Sequence, residues 1–207
     1  MRERGEKKGR MSKGEETRQH IIEKAAAIFN QRGYEGTALS DLMEATKLRK
    51  GGIYRHFESK EELAAEAFDY AWGLAWRTRR QGLAEIPNSV DRLKRLVRNF
   101  VEIRTPNLPG GCPLMNTAVE ADDGNAVLRG RAREALGWWR EFIENTVEAG
   151  KENGEIRKEA DGAKAATLII AGLEGGLMMS RLMHSLETLE TVGEFLDEYL
   201  ETQIRKI

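Results

Sequence analysis

The run RKGGIYRHFESK at 49–60 gathers side chains able to grip a polyanion. Lys50 and Lys60 supply charge for phosphate, and Tyr54 supplies a hydroxyl for a phosphate oxygen. Arg49 carries a planar fork suited to a guanine edge in the major groove, and Arg55 adds a further cation. Gly51 and Gly52 are the informative members. A glycine inside a helix costs up to ~1 kcal/mol. That cost makes sense where a nucleic-acid backbone must come close, because no Cβ stands in the way. A small helical hairpin with exposed charges would explain the lysines, but not readily two glycines beside an aromatic.

Other chemistries find less support. Cys112, in Gly110-Gly111-Cys112-Pro113, sits just before an expected helix with proline at its favoured first position. A helix N-terminus stabilises thiolate, so Cys112 is a candidate redox or electrophile sensor; the alternative is an inert buried thiol. A single cysteine excludes an intramolecular disulfide. His20, His56 and His184 are dispersed, with no metal-ligand spacing. Neither Gly51-Gly52 nor Gly175-Gly176 has the Lys-Ser/Thr ending of a phosphate loop. No carboxylate pair is singled out for acid–base work. The reading is of a non-enzyme that needs no cofactor and no metal.

The elements that must position these residues are helices. The 207 residues hold four prolines, at 87, 106, 109 and 113, leaving long stretches free of the strongest helix breaker. No period-two strand appears. An all-α fold of about nine helices is expected, at about 15–31, 38–45, 50–56, 59–81, 89–105, 113–121, 125–152, 162–185 and 188–205. Thr37 is placed to cap the second, Ser59 with Glu62 the fourth, and Asp161 the eighth. The second and third, joined by a short turn, have helix-turn-helix dimensions. Ile53 and Phe57 would pin the recognition helix to Leu42, Phe29 and Ile22. The expected organisation is a disordered basic arm at 1–14, a DNA-binding head at 15–60 and a larger helical body at 61–207.

Charge follows the same division. Residues 1–60 carry 14 Lys and Arg against 9 Asp and Glu, although the whole chain is close to neutral at −1. A basic head on an acidic body is what a DNA-binding unit joined to a non-DNA-binding unit would show. The charged N-terminus lacks the apolar core of a secretory signal. The most apolar stretch, 165–179, is interrupted by Glu174 and is short for a bilayer. A cytoplasmic protein with no membrane association is expected. On the eighth helix Gly172, Gly176 and Ser180 recur every four residues, a flat stripe that another helix could approach closely. Met178, Met179 and Met183 lie beside it, and Val192, Phe195, Leu196 and Tyr199 give the ninth helix an apolar face.

From Thr17 and Arg18 through Ala67, with TALSDLMEATKLRKGGIYRHFESKEEL at 37–63, the chain resembles the DNA-binding domain of the tetracycline-repressor (TetR) family. The matching features are the Phe29…Gly33-Tyr34…Gly36-Thr37 run, the Lys50-Gly51…Tyr54…His56-Phe57 helix, and Ser59-Lys60-Glu61. The resemblance implies a homodimeric, ligand-responsive repressor released from a palindromic operator. It implies that Thr37, Lys50, Gly51, Tyr54, His56 and Lys60 occupy positions that commonly contact DNA. Two departures stand out: Lys47 where the turn is often glycine, and Arg49 where Ser or Thr often caps the third helix.

The same resemblance implies that the last two long helices pair with their symmetry mates. Gly172, Gly176, Met179, Ser180, Met183, Phe195 and Tyr199 would then form the dimer interface. It also implies an inducer pocket in the body, lined by Trp72, Trp76, Phe100, Ile103, Leu114, Met115, Trp138 and Phe142, unless these aromatics are plain core. Ligand binding would shift the fourth helix and separate the recognition helices. GGCPLMNTAVE resembles a subset of the family in which sensing thiols occur. The competing reading is an all-helical small-molecule-binding or transferase-like dimer whose N-terminal hairpin is incidental. Operator, regulated genes and inducer stay open, as does repression against activation.

Overall fold

A computed structural model describes residues 12–103 and 105–206. Among them every regular element is helical, and the head forms first. Helix α1 (Lys13–Arg32) starts at Ser12, whose hydroxyl accepts from Glu15 N–H while the Glu15 carboxylate accepts from Ser12 N–H, a reciprocal capping box. The basic arm expected over 1–14 lies outside the described residues up to 11. Ser12 to Gly14 belong instead to the start of α1, because that cap nucleates the helix there. Helix α2 (Leu39–Thr46), the short α3 (Lys50–Ile53) and α4 (Lys60–Arg79) follow. Ser59 caps α4 by accepting from Glu62 N–H, while the Glu62 carboxylate turns to Glu58 N–H.

Thr37 does not cap α2. Its side chain is buried and its hydroxyl donates back to the Gly33 carbonyl at 2.6 Å. Asp41 takes the capping role from inside the helix, accepting from Ala38 N–H and pairing with Arg32. The head has its own core: Ile21, Ile22 and Ala25 of α1 meet Leu42, Ile53 and Phe57 across the helix-turn-helix, and Leu63, Ala67 and Ala71 of α4. Fully burying each large aliphatic contributes about 1.5–3 kcal/mol, which offsets the poor intrinsic stability of so short an α3.

The body comprises α5 (Ser89–Glu102), α6 (Pro113–Ala121), α7 (Ala126–Glu152), α8 (Gly162–Met183) and α9 (Glu187–Tyr199), which runs into a π-helical turn at Leu200–Ile204. Asn88 caps α5, Asn125 caps α7 and Asp161 caps α8 through side-chain oxygens. Trp139, Ile143 and Val147 of α7 pack with Ala166, Ile169 and Leu173 of α8, and with Leu93 and Leu96 of α5. Helix α4 joins the units physically: Ala67 and Ala71 belong to the head's core, Phe68 and Trp72 to the body's.

Helix α8 is long and apolar enough by length and composition to cross a membrane. Its buried face nevertheless packs inside the bundle. The Gly172–Gly176–Ser180 stripe faces α9 of the same chain, not a free surface. Gly172 and Gly176 meet Val192, Gly176 also meets Leu189, and the Ser180 hydroxyl accepts from Leu189 N–H at 2.9 Å. The expectation that these three residues form a dimer interface is therefore corrected, because their missing side-chain bulk is used to seat α9.

Candidate DNA-binding surface and the cavity behind it

The turn between α2 and α3 rests on Lys47, which adopts the left-handed conformation at φ 59° and ψ 25°. The Leu48 N–H points back to the Thr46 hydroxyl at 3.4 Å. Arg49 occupies the N-cap of α3 and makes no side-chain capping bond, so its guanidinium stays at the exposed face. Ile53 and Phe57 are buried beneath, which turns Lys50, Gly51, Tyr54 and Arg55 outward. Tyr54 lies beside the Lys50 ammonium, 5.8 Å from ring centre to nitrogen. Gly51 has nothing within 4 Å of where a Cβ would stand, so the protein's own packing does not demand glycine there. Gly52 is different, lying in contact with Leu48.

Three expected DNA-contact residues sit less freely. Thr37 is only 1% exposed and its hydroxyl is already bonded, so it holds the α1–α2 turn; its side chain does not reach a ligand surface. His56 is half-buried. The Lys60 ammonium donates to the Tyr34 carbonyl and lies 4.2 Å from the Tyr34 ring centre, which leaves part of its donor capacity for a phosphate.

The aromatic residues expected to line a pocket are mostly solid core. Trp72 stacks on Trp76 at 5.7 Å, Phe100 on Trp139 at 5.7 Å, and Trp76 meets Phe142 edge-on at 5.4 Å. Trp72, Trp76, Met115 and Phe142 pack in this core and do not face the cavity described below. Trp138 is corrected outright: it is 58% exposed, and its neighbour Trp139 fills the core. One residue along a helix is a turn of about 100°, enough to exchange inside for outside.

Within this aromatic shell lies a charge. The Arg79 guanidinium, at the end of α4, is buried with its carbon 4.6 Å from the Phe100 ring centre, 4.7 Å from Trp139 and 5.2 Å from Trp72. Nη2 donates to Cys112 Sγ at 3.0 Å and stands 3.9 Å from the Glu174 carboxylate, to which the Cys112 thiol donates at 2.8 Å. Two acids thus share one cation. Burial raises the Glu174 carboxyl above its ordinary range while Arg79 and the Cys112 hydrogen bond pull it back, but the carboxyl is intrinsically the stronger acid, so the thiol is the group that keeps its proton. Burial pushes the Cys112 pKa up to about 12; Arg79 works against that rise and Glu174 adds to it. The expected thiolate at a helix N-terminus is therefore corrected. Cys112 does occupy the N-cap of α6, but loss of water outweighs the helix end, and the fully buried thiol is a poor redox sensor.

Beside this group opens a cavity of about 470 Å³, bounded by Arg79, Phe100, Ile103, Cys112, Leu177 and Arg181 among others. Phe100 and Ile103 are the two expected pocket residues that face it.

Comparison with known proteins decides the family. Residues 21–67 match the bacterial regulatory proteins of the tetR family, and residues 89–196 match the tetracyclin repressor-like C-terminal domain. The chain belongs to the tetR family. A crystal structure of a TetR transcriptional regulator from Chloroflexus aurantiacus is 46% identical, covers 95% of this chain and 100% of its own, and superposes with a TM-score of 0.91. A TetR-family regulator from Cytophaga hutchinsonii is 35% identical over 96% of this chain and 100% of its own, with a TM-score of 0.89. The HTH-type transcriptional repressor DhaR of Mycobacterium sp. strain GP1 is 29% identical, over 84% of this chain and 86% of its own length. The chain is thus a DNA-binding transcriptional regulator, and the transferase-like alternative falls away.

In this TetR chain the cavity wall is wired to the head by a polar network that sequence reasoning missed. The buried Asn30, near the end of α1, donates to the carbonyls of Pro109 at 2.7 Å and Gly111 at 3.2 Å. Asn116 of α6 donates to Asn30 O at 2.9 Å and to Gly110 O at 2.9 Å. Gly110 has φ +105°, and a Cβ there would stand 2.3 Å from the Asn30 carbonyl, so only glycine fits. One turn further along α6, the Glu120 carboxylate accepts from Tyr34 and Glu35 N–H at 2.8 and 2.9 Å. The signal available was Gly110-Gly111 itself, a glycine pair with no phosphate-loop ending to explain it.

Proposed function

We propose that this tetR-family regulator is a cytoplasmic homodimeric repressor that grips a palindromic operator with α3 and lets go when a small molecule enters the Arg79 cavity. The observation that carries the DNA half is Gly51. It is exposed on the outer face of α3, flanked by Lys50 and Tyr54, with open space where a side chain would stand. Nothing inside the protein requires its helix-weakening residue type, whereas close approach of a phosphate backbone does. Arg49, Arg55 and the remaining capacity of Lys60 surround it with positive charge.

Support for the dimer comes from the outer face of α8. Leu168, Met179, Leu182 and Met183 are exposed there, with Phe195 exposed on α9. Ala171 and Gly175 form a flat strip between them, and Gly175 has nothing within 4 Å of its absent Cβ. This strip is offset by one residue from the Gly172–Gly176–Ser180 stripe that seats α9. A two-fold pairing of such faces puts both recognition helices on one side of a duplex with palindromic half-sites. The DhaR relative is itself a transcriptional repressor.

Release follows from the connections of the cavity. Its wall holds Arg79 at the end of α4, and the Gly110-Gly111 segment bonded to Asn30 of α1. A ligand that prefers a shifted arrangement of these two elements moves the head, and only to the extent of that preference.

The reading is tested by selecting duplexes from the protein's own genome with the purified protein. Enrichment of a palindrome, bound by a dimer, is the expected result. Recovery of sites without two-fold symmetry, bound by single chains, contradicts it.

A further inference from the structure

From the unpartnered guanidinium nitrogen of Arg79 in the cavity wall and the second cation, Arg181, beside it, we infer that the ligand is an organic anion, an apolar body carrying a carboxylate or similar oxyanion head that lies on Arg79 and Arg181. The inference rests on the reading that this cavity is the ligand site, and it adds the chemical class.

A guanidinium has five N–H donors in a fixed fork. Arg79 spends Nη2 on Cys112 and Glu174, whereas Nη1 is buried with no acceptor. The indole Nε1 atoms of Trp72 and Trp139, whose rings wall the same guanidinium, are also buried without acceptors. Of these three orphan donors only that of Arg79 belongs to a residue lining the cavity, and the one orphan acceptor among the described residues of this cluster, Glu174 Oε2, belongs to a residue that does not line it. A buried donor left unsatisfied costs about 1–3 kcal/mol, so the site is short of acceptors. A molecule that binds here gains most by bringing acceptor oxygens.

The charge of the lining agrees. Arg79 and Arg181 face the cavity, and among the described residues no Asp or Glu lines it. The Arg181 side chain is held over Gly111, 2.9 Å from where a Cβ would stand, which brings this second cation to the cavity's glycine wall. Phe100, Ile103, Leu177 and Leu189 supply an apolar part of the wall, and Thr105 and Asn107 add neutral polar groups. A volume of about 470 Å³ suits a small acid with a short aliphatic or aryl body, within the ordinary range for small-molecule sites. Rings that pin the Arg79 guanidinium also preorganise it, so little side-chain freedom is lost when the anion arrives.

The test uses the intact protein and matched probes: benzoate, phenylacetate and hexanoate, each beside its neutral amide, with binding read by Trp fluorescence and by melting temperature. The acids are expected to bind roughly ten- to hundredfold more tightly than their amides, the range of a hydrogen bond to a charged group. Arg181→Gln is expected to erase much of that preference; because Arg181 is exposed, this variant reports even if Arg79→Lys fails to fold. Equal binding of acids and amides, or binding of neither up to about 10 mM, overturns the assignment. Acids that bind as expected yet leave DNA affinity unchanged support the anion site, while removing its role in release.

Discussion

Lys47 carries the most exposed cost in the head. A non-glycine residue at φ 59° gives up about 1 kcal/mol against glycine. Lys47→Gly is therefore expected to raise stability in urea denaturation by up to ~1 kcal/mol, less what the more flexible unfolded chain takes back. Gly51→Ala separates folding from function. Alanine meets open space there and is the better helix former, so stability should hold or rise while operator affinity falls about tenfold or more. Unchanged affinity in a titration of Gly51→Ala would remove the close-approach argument. Cys112 has a kinetic signature. Its pKa of about 12 leaves roughly a thousandth of the thiolate of an ordinary cysteine near neutral pH. Iodoacetamide labelling at pH 8 should thus be slow in the native state and fast in urea, as read by mass spectrometry. The sign also sets stability: above about pH 9 the unfolded thiol loses its proton while the folded one keeps it, so this group's contribution falls as pH rises toward 12.

Among the elements, two of the three expected caps were legible, Thr37 being the exception, and the helix faces were not. Ser59 and Asp161 announce their helices because a capping oxygen must directly precede the first turn. Helix α8 misleads because both of its flanks carry small residues, Gly172–Gly176–Ser180 inward and Ala171–Gly175 outward. Periodicity finds two flat strips and cannot say which one α9 occupies. Trp138 and Trp139 pose the same difficulty one residue apart. Arg79 was invisible for another reason: an arginine near a helix end reads as a solvated charge, and only the fold shows three aromatic rings closing over it. The Asn30–Asn116 link is likewise made by residues 86 positions apart. It carries an expected outcome of its own. Asn116→Ala removes donors to Asn30 and Gly110 and should lower stability by about 1–3 kcal/mol. In a DNA-release assay it should also weaken the ligand's effect more than it weakens operator binding.

At the scale of the whole molecule, α4 is the shared beam. Its first turns lie in the head's core, and its last residue, Arg79, lies in the cavity wall. A two-domain regulator needs such an element, because a ligand and an operator can oppose one another only through a part that both of them bias. Pairing through the exposed face of α8 has its own check. Leu182, 73% exposed in the single chain, should tolerate Asp without loss of fold, while sedimentation shows dimers giving way to monomers; a Leu182→Asp dimer of undiminished affinity would place the interface elsewhere. The central claim, that α3 holds DNA through Lys50, Gly51 and Tyr54, is reached most directly by titrating the selected operator against wild type and Lys50→Ala across a salt series. Affinity is expected to fall by ~10³-fold or more between about 50 and about 200 mM salt for roughly six phosphate contacts, with Lys50→Ala binding more weakly and lowering the salt slope by about one. A wild-type affinity indifferent to salt, or a Lys50→Ala variant that matches wild type in both affinity and slope, would contradict it.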